Sequence, residues 1–187
     1  MVPIMSLWMP ILISGVVVFV ASAVLHMLLP IHRNDFRKLP KEDEVMAALR
    51  AFDIPPGDYG VPRPESMAAM KEPAFIAKMR KGPVIFMTVL PAGPPSTGAS
   101  LIQWALYCVV VSIMAAYVAG RAVGPEADAL QVCRFAGTAA FLAYALALPA
   151  QSIWLKRSWT TTLKSMFDGL VYGLLTGATF GWLWPRS

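Results

Sequence analysis

The sequence predicts an all-α fold: a four-transmembrane-helix bundle with a long, partly helical loop between helices 1 and 2. Three observations carry this. Of 187 residues, 57% are hydrophobic and 14% charged, where a soluble domain carries about 25% charge and 45–50% apolar residues. Four apolar runs of about twenty residues each fill roughly half the chain. The basic residues gather on one side of those runs. Together these exclude a disordered tail, a nucleic-acid-binding domain and an ordinary soluble enzyme.

The first run is Leu7 to Leu29, bounded by Pro30, with no Asp, Glu, Lys or Arg in it. Met1 to Pro10 holds no Lys or Arg, so the basic start of a signal peptide is missing and a retained helix is expected. The second run is Leu101 to Val123, the third Phe135 to Leu155 with Pro149 inside it, and the fourth Met166 to Trp184, closed by Pro185. At 1.5 Å per residue, about twenty residues cross a hydrocarbon core of about 30 Å. The whole chain is expected to form one integral membrane domain.

Of 16 Lys and Arg, ten fall between Ile31 and Ser100, and Lys156, Arg157 and Lys164 join runs three and four. Only Arg121, Arg134 and Arg186 fall on the other side. Basic residues collect on the cytoplasmic side of membrane helices, so the 31–100 loop is expected inside and both termini outside. This also accounts for the net charge of +5 without nucleic acid. The six tryptophans fall at predicted helix ends: Trp8, Trp182 and Trp184 outside, Trp104, Trp154 and Trp159 inside. An indole prefers the headgroup level.

In the loop, Lys41 to Phe52 reads as a helix with Glu42, Asp43 and Glu44 in its first turn and Arg50 in its last, matching the helix dipole. Ile54 to Gly60 reads as a break. Pro73 to Lys81 reads as a second, basic amphipathic helix, suited equally to an anionic membrane face or a solvated surface. Val84 to Leu90 is too short to span, which leaves strand, interfacial segment or re-entrant turn open.

The fourth run places Gly169, Gly173, Gly177 and Gly181 on one stripe, four residues apart. Such a row lets another helix approach closely. Its partner is expected to be another span of the chain or a second copy. Ser112, Ala116 and Gly120 offer one small-residue stripe, and Ala139, Ala143 and Ala147 another.

Polar residues inside spans are where function is sought. His26, Gln103, Gln151 and Asp168 are predicted at one level, near the inner interface. They read either as a polar layer with a proton-linked His26–Asp168 pair or as packing glue. In the second reading Asp168 is held by the helix dipole and Lys164, and the glutamines tie helices together. His32 lies past Pro30, so bis-His haem ligation and a metal cage are not expected. Cys108 and Cys133 are predicted at opposite depths, too far apart for a disulfide. Lys156, Arg157 and Lys164 flank Ser158 to Thr162, which suggests a lipid-headgroup site or, more simply, helix capping. No phosphate loop, dinucleotide fingerprint or nucleophilic triad is present. No cofactor is expected.

Leu25 to Arg33, Gly57-Asp58-Tyr59 and Trp159 to Trp184 resemble a group of small bacterial membrane proteins with no assigned activity. The likeness runs over nearly the whole chain. It implies a four-span protein of the bacterial inner membrane and brings no site residues. The functional expectation is a non-enzymatic structural or interaction component, packing through the glycine helix as a homo-oligomer or complex subunit in the bilayer. The alternative is a small transporter or channel using the polar layer. A lipid enzyme ranks third.

Overall fold

The computed structural model describes residues 1–185. Arg186, counted above among the outer basic residues, lies outside them. The chain divides into two compact units. One comprises Met1–Phe36 and the chain from Ser96 onward, and the other is Arg37–Pro95.

In the first unit, α1 (Trp8–Ala23) continues through a π-helical turn, Val24–Leu28. In the second unit, α2 (Glu42–Arg50) is followed by β1 (Gly57–Val61), α3 (Pro73–Lys81) and β2 (Ile85–Val89). The first unit resumes with α4 (Thr97–Ala122), α5 (Ala129–Phe141), a π-turn at Leu142–Leu146, α6 (Pro149–Leu155) and α7 (Trp159–Trp182).

Three helical stretches are long and apolar enough to cross a membrane: Ile4–Leu28, Thr97–Ala122 and Ala129–Leu155, of 25, 26 and 27 residues. α7 is 24 residues long and less apolar, because its buried face is built from Gly, Thr and Asp168 rather than Leu. All three stretches start earlier than the apolar runs do, and in α4 and α5 capping rather than hydropathy sets the boundary. Ser96 accepts a hydrogen bond from the Ala99 amide, and Asp128 accepts one from Gln131. α7 starts a full two turns before Met166. Ser158 occupies its N-cap without a side-chain bond, so the expected capping role is not filled.

The helices close a ring: α1 packs on α4, α4 on α5, α5 on α7, and α7 back on α1. Its interior mixes small and hydroxyl-bearing side chains, Ser14, Ser112, Ala115, Ala136, Ala140 and Thr176 among those wholly buried, with larger apolar ones such as Leu7, Val18 and Phe180. Its outside is large and apolar, with Val16, Leu106, Val110, Leu146 and Leu174 each about half exposed or more. That is the reverse of a soluble bundle. Ser14 Oγ meets Ser112 Oγ at 2.9 Å across α1 and α4. Two of the six tryptophans turn toward the interior. Trp184 is buried and donates to the Gly124 carbonyl, and Trp104 donates to Ser22 Oγ at 2.7 Å.

The glycine stripe is spent inside the chain. A Cβ on Gly169 would meet Ala145 Cβ at 2.7 Å, one on Gly177 the Cys133 carbonyl at 2.7 Å, and one on Gly181 the Ala129 carbonyl at 2.6 Å. Gly173 faces Gly137 and Phe141. The partner row is therefore Ala129, Cys133, Gly137, Phe141 and Ala145 on α5 and its π-turn, not Ala139, Ala143 and Ala147. Contact there is with α5 backbone, so Phe141 is tolerated and side-chain size misleads. Ser112 and Gly120 face α1 and the N-terminal segment instead: a Cβ on Gly120 would lie 2.7 Å from the Val2 carbonyl.

Pro149 removes an amide and would clash with the carbonyl four residues back. The helix answers with the Leu142–Leu146 π-turn and restarts with Pro149 in its first turn.

In the second unit, Ile85–Val89 is a strand, which settles the open reading of Val84 to Leu90. It pairs antiparallel with Gly57–Val61, Asp58 opposite Thr88 and Tyr59 opposite Met87. The strand falls where a break was expected, since pairing overrides the poor strand propensity of Gly and Asp. The fold is thus mostly helical with a small two-stranded sheet, not all-α. Both predicted loop helices are present, α3 with its expected bounds.

Candidate functional site

The site sits where the C-terminal turn of α1 meets α7. Residue 29, preceding a proline, is held extended at φ −91° and ψ 141°. A short turn, Pro30–His32, then folds the chain back over the π-turn. This reversal stacks the imidazoles of His26 and His32, six residues apart in sequence, with centroids 4.3 Å apart and planes 6° from parallel.

Both rings face Asp168. His32 Nε2 lies 2.9 Å and His26 Nε2 3.8 Å from Asp168 Oδ2. Asp168 is 2% exposed. It lies in the third turn of α7, beyond the reach of the helix dipole, which fades within the first turn. The dipole account of this carboxylate therefore fails, and the imidazoles take its place. Lys164 does not reach Asp168 either. Its Nζ donates to Asp35 Oδ1 at 2.9 Å, while Asp35 Oδ2 lies 2.7 Å from His32 Nδ1. Burial pushes the Asp35 carboxyl up, but hydrogen bonds and charge from His32 and Lys164 outweigh it and hold Asp35 below its ordinary value.

The rings' protons follow from their partners. His32 Nδ1 faces a carboxylate, and His26 Nδ1 lies 3.0 Å from the Ser22 carbonyl. Both partners only accept, so each Nδ1 carries a proton. In the neutral rings each Nε2 is then a bare lone pair, and both are turned toward a carboxylate. His32 Nε2 and Asp168 Oδ1 are buried without a hydrogen-bond partner among the described residues. His32 Nε2 is at ion-pair distance from Oδ2 but outside hydrogen-bond geometry.

Of the four polar-layer residues, the structure joins His26 and Asp168 and leaves the glutamines apart. Gln103 is exposed, and Gln151 is exposed and accepts from Arg157 Nη1 at 2.9 Å. The layer is completed instead by His32 and Asp35, which the apolar-run boundary at Pro30 had placed outside the bundle. The His-x5-His spacing with an intervening proline, and an Asp three residues on, was the available signal. Lys156, Arg157 and Lys164 do not converge on a headgroup site. Lys156 donates to the Ile153 carbonyl, and the other two are paired as described.

No family model, curated protein or solved structure matches this chain, and its function is read from geometry alone.

Proposed function

We propose that this chain is a four-span integral membrane protein that binds a cation at the His26/His32/Asp168 cluster, near the inner membrane face. One observation carries the binding reading: acceptors face an acceptor. Two imidazole lone pairs turned toward a buried carboxylate repel unless a positive charge lies among them. The membrane reading is supported by the large apolar exterior. Although α7 is not among the three most apolar stretches, it turns Leu163, Phe167, Leu170 and Leu174 outward, each between 44% and 59% exposed. Such a surface is stable in lipid and a liability in water. The basic excess of residues 31–100 supports both termini lying outside the cytoplasm of a bacterial inner membrane. The glycine stripe gives no support to assembly between copies, because α5 already covers it.

The test is thermal unfolding of the detergent-purified chain across a panel of monovalent and divalent cations and a pH series. A cation that binds only the folded state stabilises it by about 2.7 kcal/mol at a hundredfold excess over Kd. Stabilisation by an ion or by protons in the wild type, absent in Asp168→Asn, is expected. Stability indifferent to every cation and to pH overturns the reading.

A further inference from the structure

Resting on that reading, we infer that the cation is a divalent first-row transition-metal ion, bound by His26 Nε2, His32 Nε2 and the Asp168 carboxylate. A proton is the simplest alternative, and the geometry serves it poorly. Placed on His32 Nε2, it meets Asp168 Oδ2 off-line, and it leaves the buried Asp168 Oδ1 unanswered. One metal ion answers all three donors at once.

The distances fit. Metal–nitrogen and metal–oxygen bonds near 2.1 Å in a tetrahedron place the donor atoms about 3.4 Å from one another. The observed separations from Asp168 Oδ2, 2.9 and 3.8 Å, bracket that value, and the donor atoms of all three residues lie within 4.8 Å of one another. Because the rings are stacked almost parallel, one of them must swing out of the stack before both Nε2 lone pairs point at one ion.

The surroundings fit as well. A metal-bound histidine needs its other nitrogen protonated and held, usually by a carboxylate or a backbone carbonyl. Asp35 does this for His32 and the Ser22 carbonyl for His26. Lys164 Nζ in turn donates to Asp35 Oδ1 and holds it in place. The chain thus presents both imidazoles in the one tautomer that leaves Nε2 free to bind.

The donor set selects the ion. Two imidazoles and one carboxylate suit Zn(II), Co(II), Ni(II) or Fe(II). Mg(II) and Ca(II) prefer all-oxygen shells, and soft ions such as Cu(I) prefer thiolates. Three protein ligands leave a coordination position open, as in catalytic rather than structural zinc sites. His26 is half exposed and lines a groove of about 290 Å³ with Phe19, Ala23, Met27, Leu101 and Trp104. Water or a small ligand reaches the open position from that side.

The experiment titrates the full chain in detergent with Zn(II) and Co(II). Metal content is read by mass spectrometry and the Co(II) absorption bands report coordination. One equivalent bound is expected, with the intense visible bands of four- or five-coordinate Co(II) and no thiolate charge-transfer band. His32→Ala and Asp168→Asn should lose at least a hundredfold in affinity, and Asp35→Asn ten- to a hundredfold. His26→Asn alters a half-exposed side chain and serves as the fold-preserving variant, with the same loss expected. No binding by folded wild type, or unchanged affinity in folded His26→Asn, overturns the inference. Stabilisation by protons, Na(I), Mg(II) or Ca(II) but not by Zn(II) or Co(II) overturns the metal and leaves the cation reading standing. Stabilisation by nothing overturns both.

Discussion

His32 Nε2 lies 2.9 Å from Asp168 Oδ2, which ties the turn after α1 to the third turn of α7. Removing His32 leaves a buried carboxylate facing only the more distant, half-exposed His26. With the positive charge that the cluster requires in place, loss of one partner of the buried set costs about 3–5 kcal/mol. His32→Ala should therefore destabilise the chain by several kcal/mol in a denaturant titration, and His26→Ala by clearly less. Equal losses would mean that the two rings share the carboxylate evenly, contrary to their distances.

Asp35 accepts from both His32 and Lys164. Hydrogen bonds to a charged group contribute about 1.5–3 kcal/mol, so Asp35→Asn should cost that order. Lys164→Met should cost less, its side chain being 27% exposed. The sign of the pH effect follows from the folded carboxyl titrating below its ordinary value. Its contribution is present in full above about pH 4–5, the unfolded range, and lost as pH falls through the folded value. Unfolding curves of wild type and Asp35→Asn, taken from pH 6 downward, should converge in acid. Curves that stay parallel would show that Asp35 carries no acid-labile stability.

Ser14 and Ser112 meet across α1 and α4, both wholly buried. Each hydroxyl also reaches a carbonyl of its own helix, Ser14 to Ile11 and Ser112 to Cys108. The interhelical bond is thus one option among several for each group. Hydrogen bonds between membrane helices average about 0.6 kcal/mol. A double-mutant cycle with Ser14→Ala and Ser112→Ala should give a coupling of that size. A value above about 2 kcal/mol would mean that the local carbonyl bonds do not compensate.

Much of the helical unit was legible because hydropathy reports apolar, outward-facing residues directly. Leu106, Val110 and Leu174 read as apolar, and they line the exterior. The starts of α4, α5 and α7 were not legible in that way. They are set by Ser96, by Asp128 and by the turn after Lys156, not by where the apolar run begins. The site was half legible. His26 and Asp168 fall at one depth by counting turns, but His32 enters only through a π-turn and a proline reversal. Periodicity cannot anticipate that reversal. Gln103 and Gln151 were expected at the same level as His26, yet level says nothing of which way a side chain faces, and both are exposed.

The proposed orientation is tested by labelling single cysteines in a background lacking Cys108 and Cys133. Ser66→Cys reports the loop between α1 and α4, and Gly124→Cys the turn after α4, where a Cβ meets nothing within 4 Å. With the basic loop inside, an impermeant thiol reagent on intact cells should modify Gly124→Cys and spare Ser66→Cys until the membrane is opened. The reverse pattern would invert the topology and move the His/Asp cluster to the outer face.

Gly177 decides between the two readings of the glycine stripe. A Cβ there would lie 2.7 Å from the Cys133 carbonyl and 2.9 Å from its Sγ. Because the first clash is with backbone, relief requires α5 and α7 to separate. Gly177→Ala should therefore cost more than the usual 1–3 kcal/mol of overpacking, and Gly177→Leu should prevent folding. Gly98 is the control. It sits in the first turn of α4 with nothing within 4 Å, and Gly98→Ala should be neutral or stabilise slightly through helix propensity. Denaturation and size-exclusion profiles together separate the cases. If Gly177→Ala stays as stable as wild type but changes oligomeric state, the stripe faces a second copy and the α5–α7 packing described above is wrong. If it loses stability while the surviving folded fraction keeps its size, the stripe is the close contact that holds α7 in the ring, and with it Asp168 against His32.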